Sequence, residues 1–307
     1  MKRIKKITDK PVFMIGHPRS GTTFLHRFIL DSSDEFAGMK LEDMISPVLR
    51  SLLPLLRRIS LDWLYDPDIH KTSLQDWEAD DIGLGFKCQA GYLSYLYFKC
   101  RKGAVSDEDF YSWLDKRRER AFSHLLKMHL KKREKNPGKR FISKSFINLF
   151  FLDELISSYK DGKFVLLIRN PLETIPSTLS LMEKVQTRLF GFKKRDNFER
   201  QQYFDNVYNS IKCYYTKLDQ VIKEKVDADN FMLISYKKLN DNFAEEFQKI
   251  ISFYDIKIDD TLKSKLEVQD VKQKERQSKH VYCSDNYGID EDKIRKDFAF
   301  IMENYEI

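Results

Sequence analysis

Residues 11–24 read PVFMIGHPRSGTTF, and this stretch decides the fold. Pro11–Ile15 has the composition of a short buried strand, Gly16–Gly21 of a turn, and Thr22 onward of a helix start. A strand–turn–helix of this kind aims backbone N–H groups and a helix N-terminus at one spot, which suits an anion. Gly16 and Gly21 have the spacing of the nucleotide-triphosphate loop GxxxxGK[ST]. Thr22, however, stands where the lysine of that loop belongs, and the cation inside the turn is Arg19. The substitution argues against ordinary magnesium–nucleotide chemistry and for a different anionic donor. Taken alone, the motif also reads as a plain glycine turn at the start of a helix.

The 307 residues suffice for one large core or two small ones, and 42% apolar with 13% aromatic residues indicates a globular chain. No apolar run approaches the roughly 20 residues that span a bilayer. The basic start MKRIKKITDK is followed by too few apolar residues for a secretory leader. Cys88, Cys100, Cys213 and Cys283 lack metal-site spacing, so reduced thiols, a cytoplasmic address and no metal site are expected. The net charge of +7 comes from runs at 116–120, 127–140, 193–195 and 272–279, which read as solvated helix faces. No nucleic-acid module accompanies them.

Short apolar runs punctuate longer helical periods: Val12–Ile15, Glu35–Gly38, Phe141–Ser143, Phe164–Ile168 and Phe231–Ile234. These predict parallel strands alternating with helices, and hence an α/β domain whose ligand sits at the carboxyl ends of the strands. One helical stripe is Phe24, Leu25, Phe28 and Ile29. A second runs through Trp113, Leu114, Phe122, Leu125, Leu126 and Met128. A third, from Tyr203 to Ile222, predicts a long helix whose aromatic face belongs to the core. Two segments read as inserts on this scaffold. Met44–Tyr65 is apolar but broken by Pro47 and Pro54, and is either a pair of packing helices or a membrane-surface element. Lys184–Arg200 is basic, contains Gly191, and has the character of a lid or acceptor loop.

The pattern RSGTT after a strand resembles the 5′-phosphosulfate loop of sulfotransferases that use 3′-phosphoadenosine-5′-phosphosulfate (PAPS), in the bacterial-type branch. The resemblance implies that Arg19, Ser20, Gly21, Thr22 and Thr23 surround the phosphosulfate. A second stretch, KFVLLIRNPLETIPSTLS at 163–180, ends a strand at Arg169 and places Ser177 eight residues later. That spacing resembles the family's 3′-phosphate site, and a guanidinium fork suits a phosphate. FISKS at 141–145 resembles the strand that carries a lysine to the transferring group, which implies that role for Lys144. ISYKKL at 234–239 resembles the Tyr-Glu-x-Leu segment, with lysines at 237 and 238. Lys279-His280-Val281-Tyr282 followed by Asn286-Tyr287-Gly288-Ile289 resembles the C-terminal stretch that closes over the cofactor, which implies a phosphate contact for Lys279. The matches run from about residue 11 to 300.

The resemblance implies a single domain over 1–307 with a three-layer, P-loop-like α/β fold and a central, mostly parallel sheet. Within it, 11–43 form the phosphosulfate loop and first helix, 44–65 a helical insert, 141–180 the lysine and 3′-phosphate motifs, and 272–300 the closing segment. It implies transfer of a sulfonate from PAPS to a hydroxyl or amine of a glycan, lipid or small molecule, leaving PAP, without a metal. Peripheral membrane contact through 44–65 is compatible with this reading. The transfer needs a base that reaches the acceptor. WEADDIGL at 77–84 resembles the family's acidic acceptor-side run, with Ala79 and Gly83 departing from it. Glu78, then Asp80, then His17 are the candidates in that order, and mutual repulsion among Glu78, Asp80 and Asp81 is expected to raise one pKa if they are buried together. Two alternatives stay open: a P-loop kinase or nucleotide triphosphatase, and an idle nucleotide-binding protein of the same fold.

Overall fold

The computed structural model describes residues 10–45, 52–58, 72–275, 283–305 and 307. Its centre is a five-stranded sheet in the order β2-β3-β1-β4-β5, made of Val12–Gly16 (β1), Phe36–Ala37 (β2), Arg140–Lys144 (β3), Lys163–Ile168 (β4) and Phe231–Ser235 (β5). Every pairing is parallel, with Met14 opposite Lys144 on one side and Gly16 opposite Leu167 on the other. The apolar runs form strands because both faces of the sheet are covered. Phe13, Ile15, Phe164, Leu166 and Ile168 point into one core, and Val12, Met14, Ile142, Val165 and Leu167 into the other. The alternation follows from the two-residue period of a strand.

β1 lies between β3 and β4, so the chain leaves to opposite sides of it, and the crevice at its carboxyl end is the switch point of the sheet. The turn 17–21 emerges there and leads into the Thr22–Ser32 helix, whose Phe28 ring packs edge-on against Phe243 and Phe247. The helix Asn197–Lys225 carries the expected aromatic face, with Tyr203, Tyr208, Tyr214 and Tyr215 buried in the core. The four cysteines are unpaired. Among the described residues, no helix is long and apolar enough to cross a membrane.

Two expectations need correction. The stripe from Trp113 to Met128 belongs to two helices, Asp107–Asp115 and Arg118–Glu134, separated at Lys116–Arg117. No glycine or proline announces that break, so the periodicity alone runs through it. Lys184–Arg200 is not a separate insert. Its first half completes the Pro171–Phe190 helix, Gly191 ends that helix in the left-handed conformation, and a short turn leads into the next helix. Of Met44–Tyr65, residues 46–51 and 59–65 lie outside the described residues. Within it, Leu53–Leu56 is a short helical turn with Leu52 and Leu55 exposed, and Arg57 pairs with Glu42 at 2.7 Å.

Candidate active site

The turn after β1 is shaped by close approaches. A Cβ on Gly16 would sit 2.8 Å from both the Leu167 carbonyl and Ser20 Oγ, so only glycine fits. Ser20 closes the turn by donating from its amide (3.1 Å) and its hydroxyl (2.6 Å) to the His17 carbonyl. Arg19 and Gly21 both adopt positive φ, at 74° and 87°. A side chain at Gly21 would collide with the Tyr236 ring, which roofs the turn from the end of β5. Gly21 caps the following helix without a side-chain hydrogen bond. The amides of the first helical turn therefore meet no capping side chain, and the macrodipole makes this end positive.

β3 delivers Lys144 beside this helix start. Its Nζ donates to Thr23 Oγ1 at 3.0 Å and lies 3.6 Å from Glu78 Oε2, with the side chain 1% exposed. Burial, only partly offset by Glu78, holds the ammonium below its ordinary pKa. Glu78 accepts from Arg27 Nη2 at 2.7 Å and from Thr72 Oγ1 at 2.8 Å. Arg27 sits one turn after Thr23 on the same helix and also donates to the Trp77 carbonyl. Neither Arg27 nor Thr72 is singled out by the sequence, because each becomes relevant only through Glu78, and Arg27 meets it from 51 positions away.

The three neighbouring carboxylates diverge. Asp80 Oδ2 accepts from Ser143 Oγ at 2.5 Å and pairs with His129 Nε2 at 3.1 Å, and the other His129 nitrogen meets the Tyr159 hydroxyl. The Asp80 amide donates to the Lys144 carbonyl at 2.9 Å. Asp81 accepts from the Ser145 hydroxyl and from the amides of Tyr92 and Phe146. Its pKa rises to about 6, and burial is the cause rather than the expected repulsion among the acids. Asp80 and Asp81 tie chain segments together, and Glu78 is the carboxylate that faces Lys144. His17 also turns inward. Its Nδ1 donates to the Pro18 carbonyl at 2.7 Å, which leaves Nε2 to accept from the Tyr92 hydroxyl at 2.9 Å. The rings of Tyr92, Tyr214 and Tyr215 enclose it, and burial drives its pKa down to about 3. His26 is likewise a packed residue, fully buried near Lys144 and Glu78.

A second cationic station adjoins the turn. Arg169, at the end of β4, donates from Nη1 to the Arg19 carbonyl at 2.6 Å and from Nε and Nη2 to Glu173, while its guanidinium stacks 4.3 Å over the Tyr236 ring. Ser177 Oγ accepts from Arg19 Nε at 3.0 Å. The Pro171–Phe190 helix brings this about: Asn170 caps it, Pro171 occupies its first position, and Ser177 then falls on the face toward the turn. Arg19, Arg169 and Ser177 thus share one cluster, and Lys144, Thr23 and Glu78 form its neighbour. Lys279 and His280–Tyr282 lie outside the described residues. Among the described residues, no group of three or more His, Cys, Asp or Glu side chains could hold a metal ion.

Residues 11–260 match the model of the family described as "Sulfotransferase family". Two curated relatives are each 24% identical over 249 residues: the omega-hydroxy-beta-dihydromenaquinone-9 sulfotransferases Stf3 of Mycobacterium bovis and Mycobacterium tuberculosis. The alignment covers 76% of this chain and 59% of each relative, so the chain spans about three-fifths of the length of the curated proteins it matches. Among solved structures, the sulfotransferase STF1 of Mycobacterium tuberculosis superposes with a TM-score of 0.70 at 16% identity, covering 96% of this chain and 77% of that one. STF9 of Mycobacterium avium superposes with a TM-score of 0.72 at 14% identity, covering 98% and 78%. These likenesses establish a shared fold.

Proposed function

The chain belongs to the sulfotransferase family, and from that membership we propose that it transfers a sulfonate group from PAPS to a hydroxyl or amine of an acceptor. The observation that carries the reading is Lys144 Nζ, brought by β3 to the first turn of a helix that no side chain caps. It supplies a buried cation where the loop's own sequence has Thr22 in place of a lysine.

The residues present fit a donor with two anionic ends. The loop amides with Ser20, Gly21, Thr22 and Thr23 hold the 5′ end, and Arg19 and Lys144 offset the charge that develops as the sulfonate moves. Arg169 and Ser177 hold the 3′-phosphate, and the Glu173 carboxylate that occupies Arg169 in this structure yields to it. Lys279 is the further candidate for the same phosphate. When bound, PAPS supplies an activated sulfonate that bears less negative charge than a phosphoryl group, so side-chain cations and amides suffice.

Glu78 is the base in this account. It is the carboxylate beside Lys144, whereas Asp80 and Asp81 hold backbone and core side chains, and both His17 nitrogens are engaged, Nδ1 by the Pro18 carbonyl and Nε2 by the Tyr92 hydroxyl. Arg27 and Thr72 orient Glu78. The acceptor is a small molecule, glycan or lipid. The names of the Mycobacterium relatives support including lipid hydroxyls, and a cytoplasmic address, with or without membrane contact, suits that class. Incubation with PAPS and fractionated host extract, followed by mass spectrometry, tests the proposal. Sulfonated products that disappear in Lys144→Met support it, and none across all fractions, with the protein folded, would refute it.

A further inference from the structure

The Pro171–Phe190 helix starts just after Arg169, and its 20 residues span about 30 Å. Its far end carries an unusual surface. Leu189 is 39% exposed there, and Phe98, on a π-helical turn at 95–99, is 47% exposed. The Phe98 and Phe190 rings adjoin with centroids 6.0 Å apart, and the Arg101 guanidinium lies 3.7 Å over the Phe190 ring. Gly191 then turns the chain sharply, so Phe192 is buried while Lys193 and Lys194 project outward.

The charges around these apolar groups are predominantly basic. Residues 99–102 and 188–200 together hold eight basic and two acidic side chains, a large share of the protein's net +7. Of the two acids, Asp196 caps the following helix, and Arg200 answers to Glu183 rather than to either. Among the described residues, Arg101, Lys193, Lys194 and Arg195 have no carboxylate partner. Arg101 Nε is buried without an acceptor. Burial and then the like charge of Arg195 pull Arg101 below its ordinary pKa, with Tyr203 pulling the other way. Such an arrangement is unfavourable in isolation and becomes favourable against an anionic surface.

We propose that this end of the molecule docks on a bilayer surface carrying anionic lipids, with Phe98, Leu189 and Phe190 entering the headgroup boundary and Arg101, Lys193, Lys194 and Arg195 meeting the lipid phosphates. Exposed aromatic and aliphatic groups inside a basic rim have the chemistry of an interfacial anchor. The proposal is independent of the sulfonate-transfer reading, since the patch lies a helix length from Arg169. It also differs from a contact through 44–65.

The test is flotation of the full chain with phosphatidylcholine vesicles and with equimolar phosphatidylcholine–phosphatidylglycerol vesicles. Binding to the mixed vesicles alone, weakening with added salt, is expected. Lys194→Gln and Arg195→Gln should each weaken partitioning about fivefold, and Leu189→Ser should remove what survives high salt, all with unchanged melting temperature and PAP affinity. Absence of flotation with the mixed vesicles overturns the proposal. So does flotation untouched by all three substitutions, which would put the contact elsewhere. Concentration-dependent self-association lost in Leu189→Ser, without flotation, would identify a second copy as the occupant and overturn it equally.

Discussion

The Lys144 ammonium and the Glu78 carboxylate face each other at 3.6 Å, both almost wholly buried, at the mouth of the turn after β1. Arg27 holds Glu78 from the other side at 2.7 Å. One carboxylate between two cations, beside an uncapped helix start, is an arrangement that folding alone does not require. Removing one partner of a buried pair is ordinarily costly.

Lys144→Met keeps the length of the side chain and removes its charge. Glu78 retains Arg27 and Thr72, so the chain should fold with a melting temperature near that of the parent. Transfer should fall by about 10²–10³, the loss expected when one preorganised charge stabiliser is removed. Steady-state rates and a thermal melt on the same preparation check both halves.

Glu78→Gln and Asp80→Asn separate chemistry from architecture. Glu78→Gln should lower turnover by about 10²–10⁴ with donor affinity nearly unchanged. Asp80→Asn should instead lower stability, by about 1.5–3 kcal/mol for a charged acceptor shared by Ser143 and His129. Near-normal turnover in Glu78→Gln, together with its loss in Asp80→Asn, would reverse the assignment.

The sheet was readable because both of its faces are buried: a strand such as VFMI at 12–15 is a continuous apolar run with glycine at its end. The turn after β1 and the start of the Pro171–Phe190 helix, proposed here to receive the donor's two anionic ends, were readable for a related reason, since a tight turn and a helix start constrain residue type locally. What stayed hidden depends on distant segments. Glu78, Asp80 and Asp81 look alike in sequence, and their different partners come from Arg27, His129 and Ser145. His17 looks like a loop base until Tyr92, Tyr214 and Tyr215 close around it. The basic stretch 184–200 resembles a loop until Gly191 is seen to separate two helices.

His17 and Asp81 should give the stability–pH curve opposing slopes. The folded chain excludes a proton from His17 down to about pH 3, whereas the unfolded chain takes one near 6.5, so this group's contribution is lost as pH falls through that window. Folded Asp81 keeps a proton up to about pH 6 that the unfolded chain releases near 3.8, so its contribution is lost as pH rises through that window. Each slope reaches at most about tenfold in the folding equilibrium per pH unit. Urea midpoints between pH 3.8 and 6 should fall more steeply on acidification in Asp81→Asn than in the parent, and less steeply in His17→Gln. Parallel curves would contradict the burial of these two groups.

Arg169→Ala should leave the fold intact and weaken PAP binding by about 10–100-fold, the loss of one charge-assisted contact. Titration calorimetry reads the affinity, and circular dichroism the fold. Unfolding, or unchanged affinity, would make Arg169 a structural partner of Glu173 and the Arg19 carbonyl.

The central claim is that two anion stations, one at Arg19–Thr23 with Lys144 and one at Arg169 with Ser177, receive the two ends of a bisphosphorylated nucleoside. Thermal shift of the wild-type chain with PAP, compared with ATP plus magnesium at equal concentration, tests it most directly. A ligand that binds only the folded state adds about 2.7 kcal/mol of stability at a hundredfold excess over its Kd. The account predicts a shift of that order with PAP, needing no magnesium, and a much smaller one with magnesium–ATP. Equal shifts, or a shift with magnesium–ATP alone, would contradict it.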